Sequence, residues 1–257
     1  MKLAMLARGA ATAAVLACAA GQAQADQPGT NFIGLGVGYV PVYEGSRDYR
    51  ALPVPLINYR AGNFFISPRA GLPAMGLQTD LAPDWKAGVF LGMALGRDAS
   101  DADRTKGLDD IDFHATYGGF VEWTPGPWSL GAAYRQAARS GYGGTLELRA
   151  TYNAWQEGAH RVNVGASTQW ASHDAMQTWF GVTSSQAARS REGLSTYSPS
   201  SGFKSAAVFA NWSYRINPSW STITTVGVNT LLGDARDSPL TERRANVFGS
   251  VGVVYAF

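Results

Sequence analysis

Three histidines and a few closely spaced carboxylates hold whatever chemistry this sequence of 257 residues can do. Asp109, Asp110 and Asp112 cluster in one segment, and His173 precedes Asp174 directly. Brought together, a carboxylate and an imidazole of this set could activate a water for hydrolysis. His114 is followed by Ala115 and Thr116, without the neighbouring serine that a lipid hydrolase would need, and His160 opens an extended segment beside a turn. Neither carries the signature of nucleophilic catalysis. Asp98, Asp101 and Asp103 could gather calcium, but Arg97, Arg104 and Lys106 dilute their charge and their spacing departs from a calcium loop. The glycines between Gly34 and Gly38 alternate on one face of a strand with no helix after them, so they are not a phosphate loop. The residues therefore point to a chain with no catalytic, cofactor or metal site, whose acidic loops are solvated.

The elements that would position such groups follow from composition and period. Thirty glycines, 12% aromatic residues and a single cysteine suit a glycine-rich β-protein. After residue 25 no apolar run approaches the ~18 residues of a membrane-spanning helix. Residues 1–25 read as a secretory signal peptide: Lys2 and Arg8 precede the apolar stretch Ala10 to Ala20, and Ala23-Gln24-Ala25 offers a small-x-small cleavage site between Ala25 and Asp26. A rival reading lipidates Cys18, against which Leu16 has the wrong size. Loss of Lys2 and Arg8 leaves 19 basic residues against 19 acidic ones, a neutral chain with no basic field for nucleic acid. Residues 26–257 are then expected to form one domain.

Within that domain, segments of about ten residues alternate with a period of two, the mark of strands with one apolar and one polar face. Ile33, Leu35, Val37 and Tyr39 oppose Gly34, Gly36 and Gly38; Phe113, Ala115 and Tyr117, continuing Ile111, oppose Asp112, His114 and Thr116. Three features separate a membrane barrel from a soluble sandwich. Trp123, Trp128, Tyr152, Tyr214, Trp220 and Phe257 fall at strand ends beside short connections, and Tyr39, Tyr134 and Trp170 at the opposite ends, as two interfacial girdles would. Tight turns such as 124–127 and 217–218 alternate with long polar stretches at 41–51, 97–109, 136–144, 171–202 and 233–244. The last segment places Val253, Tyr255 and Phe257 on one face, resembling the C-terminal assembly signal read by the machinery that inserts outer-membrane β-barrels.

The expected fold is all-β: a transmembrane antiparallel up-and-down β-barrel of about twelve strands, with short periplasmic turns and long extracellular loops. Strands are predicted at 31–40, 51–59, 63–68, 74–80, 86–97, 110–123, 127–136, 144–155, 160–171, 203–215, 219–231 and 245–257, with Pro68 and Pro73 interrupting the third and fourth. An extra strand at Trp179 to Val182 would make the count odd and invert every later turn, so parity assigns 171–202 to a single extracellular excursion. Glu147, Arg149, Asn163, Gln169, Asn211 and Asn229 are expected to face the lumen, open or filled.

Several segments resemble one family. They are Gly34-Leu-Gly-Val-Gly-Tyr-Val-Pro-Val-Tyr-Glu-Gly-Ser46, Tyr49 through Pro53-Val-Pro55 to Tyr59, Trp179-Phe-Gly-Val-Thr183 with Ala188-Arg-Ser190, and Leu232-Gly-Asp-Ala-Arg-Asp-Ser-Pro-Leu240. Together they look like the MltA-interacting protein (MipA/OmpV) family of outer-membrane proteins. The resemblance implies a barrel in the Gram-negative outer membrane, in contact with its lipid. In the founding members it implies a non-enzymatic scaffold bridging a lytic transglycosylase and a bifunctional murein synthase. Such a scaffold would dock on turn residues such as Pro125, Gly126, Glu157, Arg161 and Asn217, or on the barrel rim. A passive small-solute channel is the alternative, and an outer-membrane protease or lipase the third.

Overall fold

The structure, a computed structural model, describes residues 31–69 and 72–257. The expected signal segment, its Ala25–Asp26 junction and Cys18 lie outside the described residues. Twelve antiparallel strands close into a barrel. They are β1 (Phe32–Pro41), β2 (Tyr49–Ala61), β3 (Phe64–Ile66), β4 (Ala74–Ala82), β5 (Trp85–Ala94), β6 (His114–Trp123), β7 (Trp128–Ala137), β8 (Gly144–Glu157), β9 (His160–Ala171), β10 (Gly202–Arg215), β11 (Trp220–Leu231) and β12 (Ala245–Ala256). Each strand pairs with its sequence neighbours, and β1 closes the ring on β12 with Ile33 opposite Tyr255 and Val37 opposite Val251.

Alternation decides which face touches what. On β1, Leu35 is 65% exposed, and on β5 Leu91 is equally so, while the intervening residues turn inward. In water each such side chain would forgo roughly 1.5–3 kcal/mol of burial, so a continuous outer surface of this kind belongs in hydrocarbon. Among the described residues no helix is long and apolar enough to cross a membrane, and the strands do the crossing.

The two ends differ. Turns at 62–63, 83–84, 124–127, 158–159 and 216–219 occupy one end, and the long connections the other. By the usual polarity of such barrels the turn end is periplasmic. Six of the eight tryptophans, at 85, 123, 128, 155, 212 and 220, sit toward the turn end. Trp85 stacks on Trp123 at 5.4 Å, Trp128 meets Tyr152 at 4.7 Å, and Tyr255 bridges Trp220 and Phe257. The long-loop end has its own pair, Tyr39 on Tyr49 at 5.0 Å.

Three expectations are corrected. The third strand is only Phe64–Ile66, because the chain leaves the wall before Pro68 and folds Arg69 into the lumen. The strand expected at 110–123 starts at His114; Ile111 pairs instead with Arg97 in an isolated bridge and is buried rather than lipid-facing. The loops expected to be solvated carry structure: α1 (His173–Phe180), α2 (Ser184–Arg189), α3 (Gly233–Asp237) and 3-10 turns at Ala99–Asp101 and Asp103–Thr105. Trp179 lies in the last turn of α1 and Val182 makes only a bridge to Tyr197, so no thirteenth strand forms and 171–202 is one excursion.

Inward glycines set the barrel's internal space. A Cβ on Gly34 would stand 2.2 Å from the Val253 carbonyl oxygen, so the β1–β12 closure is too tight for any side chain there. On Gly118 it would stand 2.0 Å from the Tyr134 carbonyl and 2.6 Å from the Phe90 ring. Gly118→Val should therefore cost roughly 1–3 kcal/mol by overpacking. Gly119→Ala, whose nearest neighbour is a carbonyl at 3.4 Å, should be tolerated. Urea titrations followed by tryptophan fluorescence in detergent micelles are expected to show a lowered midpoint for the first variant alone.

Candidate functional site

The lumen is filled by the wall's own side chains. Phe32, Phe65, Phe90, Phe120, Phe209 and Phe248 all point inward and are buried. Four of them lie over an inward glycine: Phe120 over Gly88, Phe90 over Gly118, Phe209 over Gly165 and Phe248 over Gly227. On the side of β1, β2 and β10 to β12 the filling is mainly apolar, with Val40, Leu52, Val54, Leu56, Ile223 and Val254 joining the rings around one buried polar pair, Thr225 and Asn211.

The other half holds guanidinium groups stacked on rings. Arg69 lies 4.1 Å over Phe120 and 4.7 Å over Phe65, Arg135 lies 4.9 Å over Phe90, and Arg149 lies 5.0 Å over Phe209. Each also has oxygen partners. Arg69 pairs with Glu122 at 3.4 Å and donates to Gln78 Oε1; Arg149 pairs with Glu147 at 3.0 Å; Arg135 donates to the Arg69 carbonyl and Thr116 Oγ1. Gln169 donates to the second Glu147 oxygen at 3.1 Å; across the lumen, on β11 and β10, Thr225 Oγ1 donates to Asn211 Oδ1 at 2.7 Å. The cavity between Arg69, Glu122, Glu147 and Arg149 is about 20 Å³, room for a water, and a larger one of about 100 Å³ lies toward the long loops between His114, Arg135, Gln169, Trp179 and Lys204.

The long loops close that end of the barrel. Met176, Phe180, Leu231 and Ala235 bury one another, and Ala99, Leu108, Val182, Leu194 and Leu240 form a second cluster. Polar ties stitch distant loops: Tyr43 Oη contacts the Leu240 carbonyl and Glu242 Oε2, both at 3.0 Å, Ser238 Oγ donates to the Phe180 carbonyl, and Arg104 grips the Pro239 carbonyl with two nitrogens. A bulge in β10 between Phe203 and Ser205 turns Lys204 inward, where it holds Glu44 at 2.6 Å. Burial, with Glu242 nearby, pushes the Tyr43 hydroxyl well above the usual phenol range. Burial lowers Arg97 to about 10, against the opposing pull of Tyr43 and Asp110.

The sequence's candidate chemistry is dispersed in this cap. Asp109 pairs with Arg189 at 2.7 Å, Asp110 accepts the Ala99 amide at 2.7 Å, and Asp112 pairs with Arg139. His173 Nδ1 donates to the Pro199 carbonyl at 3.1 Å, and Asp174 stands exposed in the first turn of α1. The hydrolytic set weighed from the sequence is thus dispersed, four of its five residues being engaged with separate partners. Asp98 caps a 3-10 turn, Asp101 pairs with Arg50 at 3.0 Å and Asp103 with Lys106 at 2.5 Å, so the acidic run is spent on neighbouring cations. Among the described residues no three His, Cys, Asp or Glu side chains converge as a metal would need.

His114 faces the lumen side against the edge of Tyr142, and His160 is stacked with Trp155 and Trp212, whose Nε1 donates to it at 3.2 Å. Glu147, Arg149, Asn163 and Asn211 are buried on the inward face, with Gln169 and Asn229 partly so, as the alternation demanded. Sequence reasoning missed Arg69, Arg135 and Lys204; the prolines at 68 and 73 were the one signal of the first.

The turn end offers a polar rim: Gly126, Glu157 and Asn217 are exposed, whereas Arg161 is half-buried with a nitrogen on Gln156. Val253, Tyr255 and Phe257 all face outward beside this rim.

Closed ring, lipid-facing wall, side-chain-lined lumen and loop-covered end together define a transmembrane outer-membrane-type barrel. The model of the family described as MltA-interacting protein MipA matches residues 33–257, and the chain belongs to that family. The MltA-interacting protein of Escherichia coli strain K12 is 26% identical over all of this chain and 99% of its own length. The protein of the same name from Shigella flexneri matches equally. Among solved structures, a bacterial polysaccharide outer membrane secretin is 11% identical, covering 88% of this chain and 98% of its own, at a TM-score of 0.42. The outer membrane protein OprD of Pseudomonas aeruginosa is 12% identical, covering 87% and 65%, at 0.39.

The Glu147–Arg149 pair tests the filled lumen. Glu147→Gln leaves a buried guanidinium without its carboxylate and should cost about 3–5 kcal/mol, with partial recovery in the double variant Glu147→Gln/Arg149→Gln. Equilibrium unfolding in micelles measures both.

Proposed function

We propose that this chain is a non-enzymatic interaction protein of the Gram-negative outer membrane that holds a murein-remodelling enzyme at its periplasmic end. The observation that carries this reading is the packed lumen. Rings and ion pairs take up most of the space that a channel would leave to water, with cavities of about 20 and 100 Å³ between them, which favours the rim and the wall as the acting surfaces. The names of its full-length relatives specify an interaction with MltA, and the family resemblance adds a lytic transglycosylase coupled to a bifunctional murein synthase. On this reading residues 1–25 direct export and are removed between Ala25 and Asp26. The insertion machinery then reads Val253, Tyr255 and Phe257.

Docking falls to the short turns, because murein lies on their side of the membrane. Gly126, Glu157 and Asn217 stand exposed there, with the Arg60–Asp80 pair at 3.0 Å beside them. The test is affinity capture from solubilised envelopes with partners identified by mass, alongside reconstitution in planar bilayers. A lytic transglycosylase should be retained, and replacing the turns at 124–127 and 157–159 should cut its recovery at least tenfold while changes in 184–193 leave it intact. The bilayers should stay silent. Stable unit conductance without enzyme capture would replace this reading with the small-solute channel.

A further inference from the structure

The outer wall is not uniformly bulky. Between β5 and β9 it carries a groove of about 480 Å³. Ala132, Ala150 and Ala166 form its floor, and Trp85, Trp123, Leu130 and Leu148 its banks. Register creates it: Leu130 stands opposite Ala150, Ala150 opposite Ala166, and Ala132 opposite Leu148. Ala150 and Ala166 thus fall side by side, with Ala132 diagonal to Ala150, where most of the wall carries Leu, Val or an aromatic ring. Thr168 supplies a hydroxyl at the upper end, already donated to the Ser205 carbonyl at 2.9 Å, so little along the trough asks for a polar ligand.

Its dimensions select the occupant. Four interstrand spacings of about 4.8 Å separate β5 from β9, giving a length of ~19 Å. A shallow trough of that length and about 480 Å³, lined almost wholly by apolar side chains, suits one extended polymethylene chain. A helix, roughly 10–12 Å across, does not enter. A second copy related by a two-fold axis would set hollow against hollow and enclose a void. The groove is continuous with a wall whose established neighbour is hydrocarbon. Its lower end opens at the stacked Trp85–Trp123 pair in the turn-side aromatic belt, where headgroups begin. We propose that the groove is a binding site for one acyl chain of a phospholipid from the periplasmic leaflet, held in place of the rapidly exchanging lipid that covers the rest of the wall. This site is independent of the murein partner.

The experiment uses the folded protein, delipidated in micelles and titrated with phosphatidylethanolamine under native mass spectrometry. Wild type should retain one phospholipid per barrel. Ala150→Leu/Ala166→Leu, which fills the floor, should lower retention at least tenfold while heat-modifiable migration shows the barrel still folded. If the double variant does not fold, Ala166→Leu alone serves, with a smaller loss expected. Val226→Phe, elsewhere on the wall, should retain lipid as wild type does. Equal retention by filled and unfilled barrels, or no retention by wild type, would overturn the proposal. So would a wild-type dimer that the filled variant converts to monomer, since the groove would then hold a second copy.

Discussion

Backbone amides and carbonyls in hydrocarbon must find partners within the protein, because an unpaired group there costs several kcal/mol. That requirement makes the pairing of β1 with β12 the condition for everything else in this molecule. Until the first strand meets the last, the sheet has two raw edges and no inside. Once they meet, the period-two alternation sorts every side chain into a lipid face or a lumen face. Gly34 and Gly252 lie at this seam, where backbones approach too closely for a Cβ.

Closure creates a second problem, which is what to put inside. A twelve-stranded ring is wide enough to need filling, and this chain fills it with rings from one strand laid over glycines of the next. Arg69, Arg135 and Arg149 enter it escorted: each has a ring beneath it and oxygen partners beside it, the arrangement that offsets the desolvation of a buried cation. The same packing moves any role in partner binding outward to the rim, the cap and the wall.

The outline of this fold is legible in the sequence because alternation, turn chemistry and loop parity are local signals. They place all twelve strands and the inward face of Glu147, Arg149, Asn163 and Asn211. What escapes is whatever depends on a partner far along the chain. The glycines declare an uncluttered face but not that Phe90 covers Gly118; the prolines at 68 and 73 declare a break but not that Arg69 enters the lumen. Asp109 and His173 look like chemistry only while Arg189 and Pro199, their actual partners, are out of view. The lipid-facing groove is equally hidden, because Ala132, Ala150 and Ala166 are unremarkable singly and meet only through register.

The cap is tied across nearly the whole chain. Tyr43 reaches Leu240 and Asn246 reaches the Ser46 carbonyl, contacts some two hundred positions apart. Such links have no counterpart in a half-built molecule, since their two ends approach only after the seam has sealed. The outward-facing surface is consequently an epitope of the finished article alone. A binder raised against the folded cap would therefore distinguish closed barrels from unclosed ones without any contact to the strands themselves.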